Sequence, residues 1–211
     1  MIKSIIFDFD GVVVESVDIK TRAFAKLFEA EGKEVVEQVV DYHMKHIGVS
    51  RFDKFRYFYG NILNRHLAEE EFDGLCQKFS RLVVDEVVNA SFVDGAQEFL
   101  ESKSKLFKCF VVSATPQNEI EEIARRRNIS HFFISIYGSP RNKTDIVKEI
   151  LDIHELLPEE VVCIGDAMSD YEAARSNSVE FIARLDNNEE IFASVDCVKI
   201  RDLTRLINIL S

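Results

Sequence analysis

Apolar residues along the chain fall into two rhythms. The first is the short unbroken run. Residues 3–7 form one, ending at Asp8-Phe9-Asp10-Gly11, and others cover 108–113 (KCFVVS), 132–136 (FFISI), 161–165 (VVCIG) and 179–183 (VEFIA). Unbroken runs of this length, in place of strict alternation, predict strands buried on both faces of a parallel sheet. Residues 197–200 predict an edge strand. The second rhythm is helical, over 94–103, 117–127, 143–152, 168–177 and 202–210. Strand and helix alternate, so the expected class is α/β, a doubly wound parallel sheet with helices on both faces.

The stretch 16–89 interrupts that alternation. Ser16 is placed to cap a helix carrying Ile19, Ala23, Leu27 and Phe28. Ser50 and Asp53 form a capping-box pattern ahead of Phe52, Phe55, Tyr59, Ile62 and Leu63. Phe72, Leu75, Cys76, Phe79, Leu82 and Val83 repeat the helical spacing. The expected organisation is a core made of 1–15 and 90–211, with an all-helical insert over 16–89. The aromatic residues of 52–59 exceed one packing stripe, and the surplus suits a cleft lining or a dimer contact.

Composition narrows the function. Of 211 residues, 46% are hydrophobic, with only 8 Gly and 3 Pro, as in an ordinary folded chain. A net charge of −11 argues against non-specific nucleic-acid binding and against docking on anionic membrane, yet leaves small anionic substrates open. No apolar run is long enough to span a membrane. The four cysteines form no CxxC pair and read as reduced thiols, so a cytoplasmic location is expected, as monomer or homodimer.

Asp8 and Asp10 follow a buried strand, and Gly11 lets the chain turn so that both carboxylates surround one point. Such a pair is costly without a compensating cation. Three further strand ends carry groups suited to phosphate. Ser113 precedes Ala114-Thr115-Pro116, where a helix opens with free N–H groups. Lys143 begins the helix after Gly138-Ser139-Pro140-Arg141-Asn142. Gly165-Asp166-Ala167-Met168-Ser169-Asp170 adds two acids.

With these four segments in this order, the chain resembles the haloacid dehalogenase-like superfamily over nearly its whole length, in particular its phosphoglycolate phosphatase and β-phosphoglucomutase group. The insert resembles that family's α-helical cap. Asp94 stands where the family often has Pro, Thr144 follows Lys143 where Pro is common, and Asn177-Ser178 replaces a common Ala-Gly. The resemblance implies a phosphatase acting on a small phosphorylated metabolite, either a sugar phosphate or a phosphoglycolate-like acid. Asp8 is implied as nucleophile and Asp10 as acid and base. Mg²⁺ is implied at the Asp8 carboxylate, the Asp10 carbonyl, Asp166 and Asp170. Ser113, Lys143 and the backbone at Ala114 are implied on the phosphoryl oxygens. Asp10 and Asp166 together favour phosphoryl transfer over dehalogenation.

Gly48-Val49-Ser50-Arg51 resembles a cap sequence of β-phosphoglucomutases, which implies that Arg51 binds substrate and makes a sugar phosphomutase the alternative. A catalytically inactive binding protein is a further alternative that would require a lost catalytic residue. His43 and His46, three apart, are read without a metal role. Arg125-Arg126-Arg127 is read as a solvated helix face.

Overall fold

The computed structural model describes residues 1–186 and 189–210. Between the first and second strands run five helices, α1 (Val17–Leu27), α2 (Lys33–Lys45), α3 (Arg51–Tyr57), α4 (Glu69–Asn89) and α5 (Ala96–Lys103). Four more follow: α6 (Gln117–Arg126), α7 (Lys143–His154), α8 (Met168–Ser176) and α9 (Leu206–Ile209). The strands are β1 (Ser4–Phe7), β2 (Lys108–Pro116), β3 (Ser135–Ser139), β4 (Val161–Gly165), β5 (Glu180–Arg184) and β6 (Val198–Ile200). They form one sheet in the order β3-β2-β1-β4-β5-β6, and every pairing is parallel.

β1 lies inside this sheet, with Ile5 opposite both Cys109 and Val162. All of β1 and β4 is buried, as unbroken apolar runs require between two helical layers. Alternation divides their side chains between two cores. Ile5, Phe7, Val111 and Ile164 join one cluster; Ile6, Phe110, Val112 and Cys163 join the other. The first cluster continues without a break into the helical insert through Phe24, Phe28, Phe55, Phe58 and Phe79. Phe24 is its hub, with ring centroids 4.4 Å from Phe79, 5.6 Å from Phe58 and 5.7 Å from Phe55. The surplus aromatics of 52–59 are thereby explained. Phe55 and Phe58 fill this core, while Tyr57 stays partly exposed and stacks on Tyr42.

Three sequence expectations are corrected. The third strand runs over Ser135–Ser139, not 132–136. Residues Ser130–Phe132 close a 3₁₀ turn, and Phe133 is buried edge-on against Phe7 before the strand begins. The apolar run is thus spent on an anchor, and its Ile134 is half exposed. The helix expected over 202–210 forms only at Leu206–Ile209, because Asp202 Oδ1 accepts from Thr204 N at 2.9 Å and holds a turn instead. Arg127 leaves the solvated face expected for it. It is half buried and donates to the carbonyls of Val87, Val88 and Ala90 at 2.7–2.9 Å, satisfying open acceptors at the end of α4.

No helix among the described residues is long and apolar enough to cross a membrane. All four cysteines are free thiols, with Cys109 and Cys163 buried as the pattern of their strands predicts.

Candidate active site

The site gathers at the carboxyl ends of β1, β2 and β4, where open α/β sheets place ligands. Asp8 N still donates to Ile164 O at 2.9 Å, so the sheet holds the backbone of Asp8 although β1 has ended. Gly11 then turns with φ +77°, and a Cβ there would lie 2.2 Å from Asp166 Oδ2. Only glycine lets this loop close against the end of β4.

The turn sends Asp10 toward α1. Its Oδ1 accepts from Ser16 Oγ at 2.6 Å. Its Oδ2 accepts from Thr115 Oγ1 at 2.9 Å and from Ser113 Oγ at 3.4 Å, and pairs with Lys20 Nζ. Lys20 also donates to Thr115 Oγ1 at 2.8 Å. Ser16 does stand at the N-cap position of α1, but its hydroxyl serves Asp10 and makes no cap hydrogen bond. Burial alone would raise the Asp10 carboxyl; the Lys20 ammonium and the hydroxyls outweigh it and hold the group below the usual carboxylate range.

Asp8 faces the opposite balance. It is buried, and its carboxyl is pushed up to about 7 by desolvation, which the Lys143 ammonium only partly offsets. Lys143 Nζ lies 3.2 Å from Asp8 Oδ1 and donates to Asp170 Oδ1 at 2.6 Å. Despite that proximity, Asp8 Oδ1 has no aligned hydrogen-bond donor. Burial would lower the Lys143 ammonium, yet Asp170 and Asp8 raise it, so it stays charged. Asp166 is raised well above its ordinary range, first by burial and then by Asp8. Asp170 is held at the start of α8, where Ala167 N donates to its Oδ2 at 3.2 Å.

Asp8, Asp166 and Asp170 each offer a carboxylate oxygen within 4.8 Å of the others, all buried. The Lys143 ammonium pairs with two of them, Asp8 and Asp170. A hard divalent cation fits this donor set, because it would supply the missing positive charge and a partner for Asp8 Oδ1, and because the donors are oxygens without His or Cys.

The insert closes over these strand ends. Gly48 has φ +78°, and a Cβ there would lie 2.4 Å from Ser169 Oγ. This lets the loop before α3 rest on the start of α8. Between insert and sheet a cavity of about 40 Å³ is lined by Asp8, Asp10, Lys20, Lys54, Ala114 and Thr115, among others. A second opening of about 240 Å³ reaches Ala114 and Lys143 from the other side. Arg51 borders the first cavity. Its guanidinium is fully engaged, donating to Glu119 Oε1 at 3.0 Å, to Glu119 Oε2 at 2.6 Å and to Ser80 Oγ at 3.0 Å, and lying 4.5 Å from the Phe79 ring centre.

The structure therefore brings Asp8, Asp10, Ser113, Ala114, Lys143, Asp166 and Asp170 together and sets Arg51 on the insert side. Sequence reading missed the residues that surround them. Thr115 stands two after Ser113, and period-2 alternation would have put it on the same face. Lys20 follows Ser16 by one helical turn, so the two share a face. Glu119 and Lys54 carried no signal, since each looks like an ordinary helix residue until the insert is folded onto the sheet, and His43 was weighed only as a metal ligand.

Known proteins share this fold. Over 186 residues the chain is 27% identical to a phosphorylated carbohydrates phosphatase of Thermotoga maritima, covering 85% of this chain and 83% of that protein. Its fold matches a β-phosphoglucomutase structure from Clostridium difficile with a TM-score of 0.79 at 21% identity, covering 98% and 93% of the two chains. It also matches a predicted phosphoglycolate phosphatase from Haemophilus somnus with a TM-score of 0.77 at 19% identity, covering 100% and 98%. The family model for haloacid dehalogenase-like hydrolases matches residues 5–184, from the first residues of β1 to the end of β5, and the chain belongs to that family.

Proposed function

We propose that the chain is a cytoplasmic, Mg²⁺-dependent phosphatase of a small phosphorylated carbohydrate or related acid, working through an aspartyl-phosphate on Asp8. The observation that carries this reading is the pairing of unlike carboxyls at one strand end. Asp8 has one oxygen without an aligned donor, whereas Asp10 is held by a lysine and three hydroxyls. Divergent environments suit divergent roles. In this reading 1–15 and 90–211 supply the chemistry, and 16–89 supplies the lid that selects the substrate. The four free thiols support the cytoplasmic setting.

An Asp8 oxygen bonds to phosphorus as the phosphorus–ester oxygen bond breaks, and the departing oxygen takes its proton from Asp10. Asp10 then accepts a proton from water as that water attacks phosphorus, and the bond to Asp8 breaks to release phosphate. Lys20 and the hydroxyls hold Asp10 as the carboxylate, the form that the second step starts from. Protonation for the first step is easiest when Lys20 is drawn away. Lys143 and Ser113, with the backbone near Ala114, offset charge on the phosphoryl oxygens. Mg²⁺ would be held by Asp8, the Asp10 carbonyl, Asp166 and Asp170, and would neutralise charge there.

The name of the Thermotoga maritima relative supports carbohydrate phosphates as the substrate class. The fold likeness to a β-phosphoglucomutase keeps a phosphomutase as second reading. The test is a panel of sugar phosphates and short phosphorylated acids with Mg²⁺. Stoichiometric phosphate release, lost in Asp8→Asn and on chelation with EDTA, is expected. Isomerised sugar phosphate without phosphate release would move the assignment to the mutase. Turnover surviving in Asp8→Asn would end the aspartyl-phosphate mechanism.

A further inference from the structure

The cavity between insert and sheet holds more polar groups than the phosphoryl chemistry uses. Most of these are already satisfied. Asp10 is occupied by Ser16, Lys20 and Thr115. The Arg51 guanidinium is spent on Glu119 and Ser80. Two groups remain. Lys54 is 2% exposed, and no carboxylate among the described residues pairs with it. Among the described residues its hydrogen-bond partner is His43 Nδ1 at 2.8 Å. His43 is 3% exposed, and its Nε2 is buried with no partner among the described residues. When Lys54 is an ammonium, Nδ1 must accept, so the imidazole proton sits on Nε2. The insert wall of the cavity thus presents an ammonium without a counter-charge beside an N–H without an acceptor. Both residues line the same cavity as Asp8. A buried donor left without an acceptor is costly, and a buried cation without an anion more so.

We infer that Lys54 and His43 form a specificity-determining donor pair that receives a carboxylate on the far end of the substrate, so that phosphorylated acids are preferred to phosphorylated alcohols. The inference rests on the phosphatase reading and names the substrate class within it. Two observations favour a carboxylate over a hydroxyl. A hydroxyl would give the N–H an acceptor but leave the ammonium without its charge; a carboxylate supplies both. Burial, aided by Lys20, also pushes Lys54 down to about 7, and an incoming anion restores its charge. The small cavity, walled by Phe24, Ile47 and Phe79, favours a substrate of a few carbons. Arg51, the residue that sequence resemblance implied for this task, is already neutralised by Glu119.

Glycerol 3-phosphate and 3-phosphoglycerate are the probes, since they differ only in a terminal alcohol or carboxylate. Binding to Asp8→Asn protein with Mg²⁺ is measured by calorimetry, and kcat/KM is measured on protein with Asp8 intact. The acid is expected to bind at least about tenfold more tightly and to be turned over with a matching preference. Lys54→Met should bring the ratio to within about twofold of unity. Lys54→Gln, closer in shape and still neutral, should do the same and serves if the Met variant misfolds. An equal ratio in the parent protein, a preference for the alcohol, or an acid preference that survives both substitutions overturns the inference. Absence of turnover with any phosphate ester defeats the phosphatase reading alone, because the binding ratio still judges the donor pair.

Discussion

The two walls of the cavity have opposite charge deficits. On the sheet side, Asp8, Asp166 and Asp170 crowd together, and the ammonium of Lys143 pairs with Asp8 and Asp170. On the insert side, Arg51 and Lys54 project from α3, and the carboxylate opposite them is Glu119, which α6 lends to Arg51. One wall lacks a cation and the other an anion. A magnesium complex of a phosphorylated acid would fill both deficits at once. On the proposed function the sheet would supply the phosphoryl chemistry and the insert the charge that chooses among esters.

That contrast can be broken most forcefully at Lys143. Lys143→Gln should lower kcat/KM by about 10²–10³-fold, the usual cost of losing a charged contact at the reacting oxygens. It should also destabilise the fold by about 3–5 kcal/mol, because Asp8 and Asp170 lose their buried counter-ion. Added Mg²⁺ should recover part of the melting temperature but not the rate. Turnover within tenfold of the parent would place the ammonium away from the reacting phosphoryl group.

A smaller effect belongs to the insert's latch. Arg51→Met and Glu119→Gln, alone and combined, should show a stability coupling of about 1–3 kcal/mol in a double-mutant cycle. Additive losses, together with a KM rise in Arg51→Met alone, would return Arg51 to the substrate and erase the contrast.

The smallest effect is at Lys54, where the sign is informative. Lys54→Met should stabilise the protein by about 1–2 kcal/mol at pH 7, since a buried cation without a partner is replaced by an apolar chain. For a chain of this length each kcal/mol corresponds to about 2–4 °C in melting temperature. The Lys54 ammonium has an ordinary value of 10.5, lowered to about 7 in the fold by burial and then by Lys20. Between those values the unfolded chain holds the proton and the folded one does not, so parent stability should rise from pH 7 toward pH 10.5. The advantage of Lys54→Met should shrink over that window. Nearby Asp10, Asp166 and Lys143 act on Lys54 as well, so the comparison is made at fixed salt. An advantage that does not change with pH would show that Lys54 keeps its charge.

Much of the sheet side was legible in the sequence, and the reason is local. A strand buried on both faces is an unbroken apolar run, so its end and the Asp, Ser or Lys beyond it can be counted off. Asp8, Ser113, Lys143 and Asp166 follow from that rule. The third strand slipped because Phe133 was needed against Phe7, a contact from a distant part of the chain. The insert side resisted for the same reason on a larger scale. Ser16 was legible as a helix start but not as the partner of Asp10. Nothing near Lys54 or Glu119 in the chain reveals that folding buries one without a counter-charge and sets the other against Arg51.

The position of β1 inside the sheet has a temporal consequence. Its neighbours β2 and β4 lie far downstream, and Asp166 and Asp170 come later still. At about 5–20 residues per second, a ribosome needs roughly 10–30 s between adding Asp8 and adding Asp170. Until β4 and the residues after it have been made, Asp8 lacks one of its two flanking strands and the carboxylates of Asp166 and Asp170. On the proposed mechanism the nascent chain would stay chemically silent until Asp170 has emerged and the sheet has closed on both sides of β1.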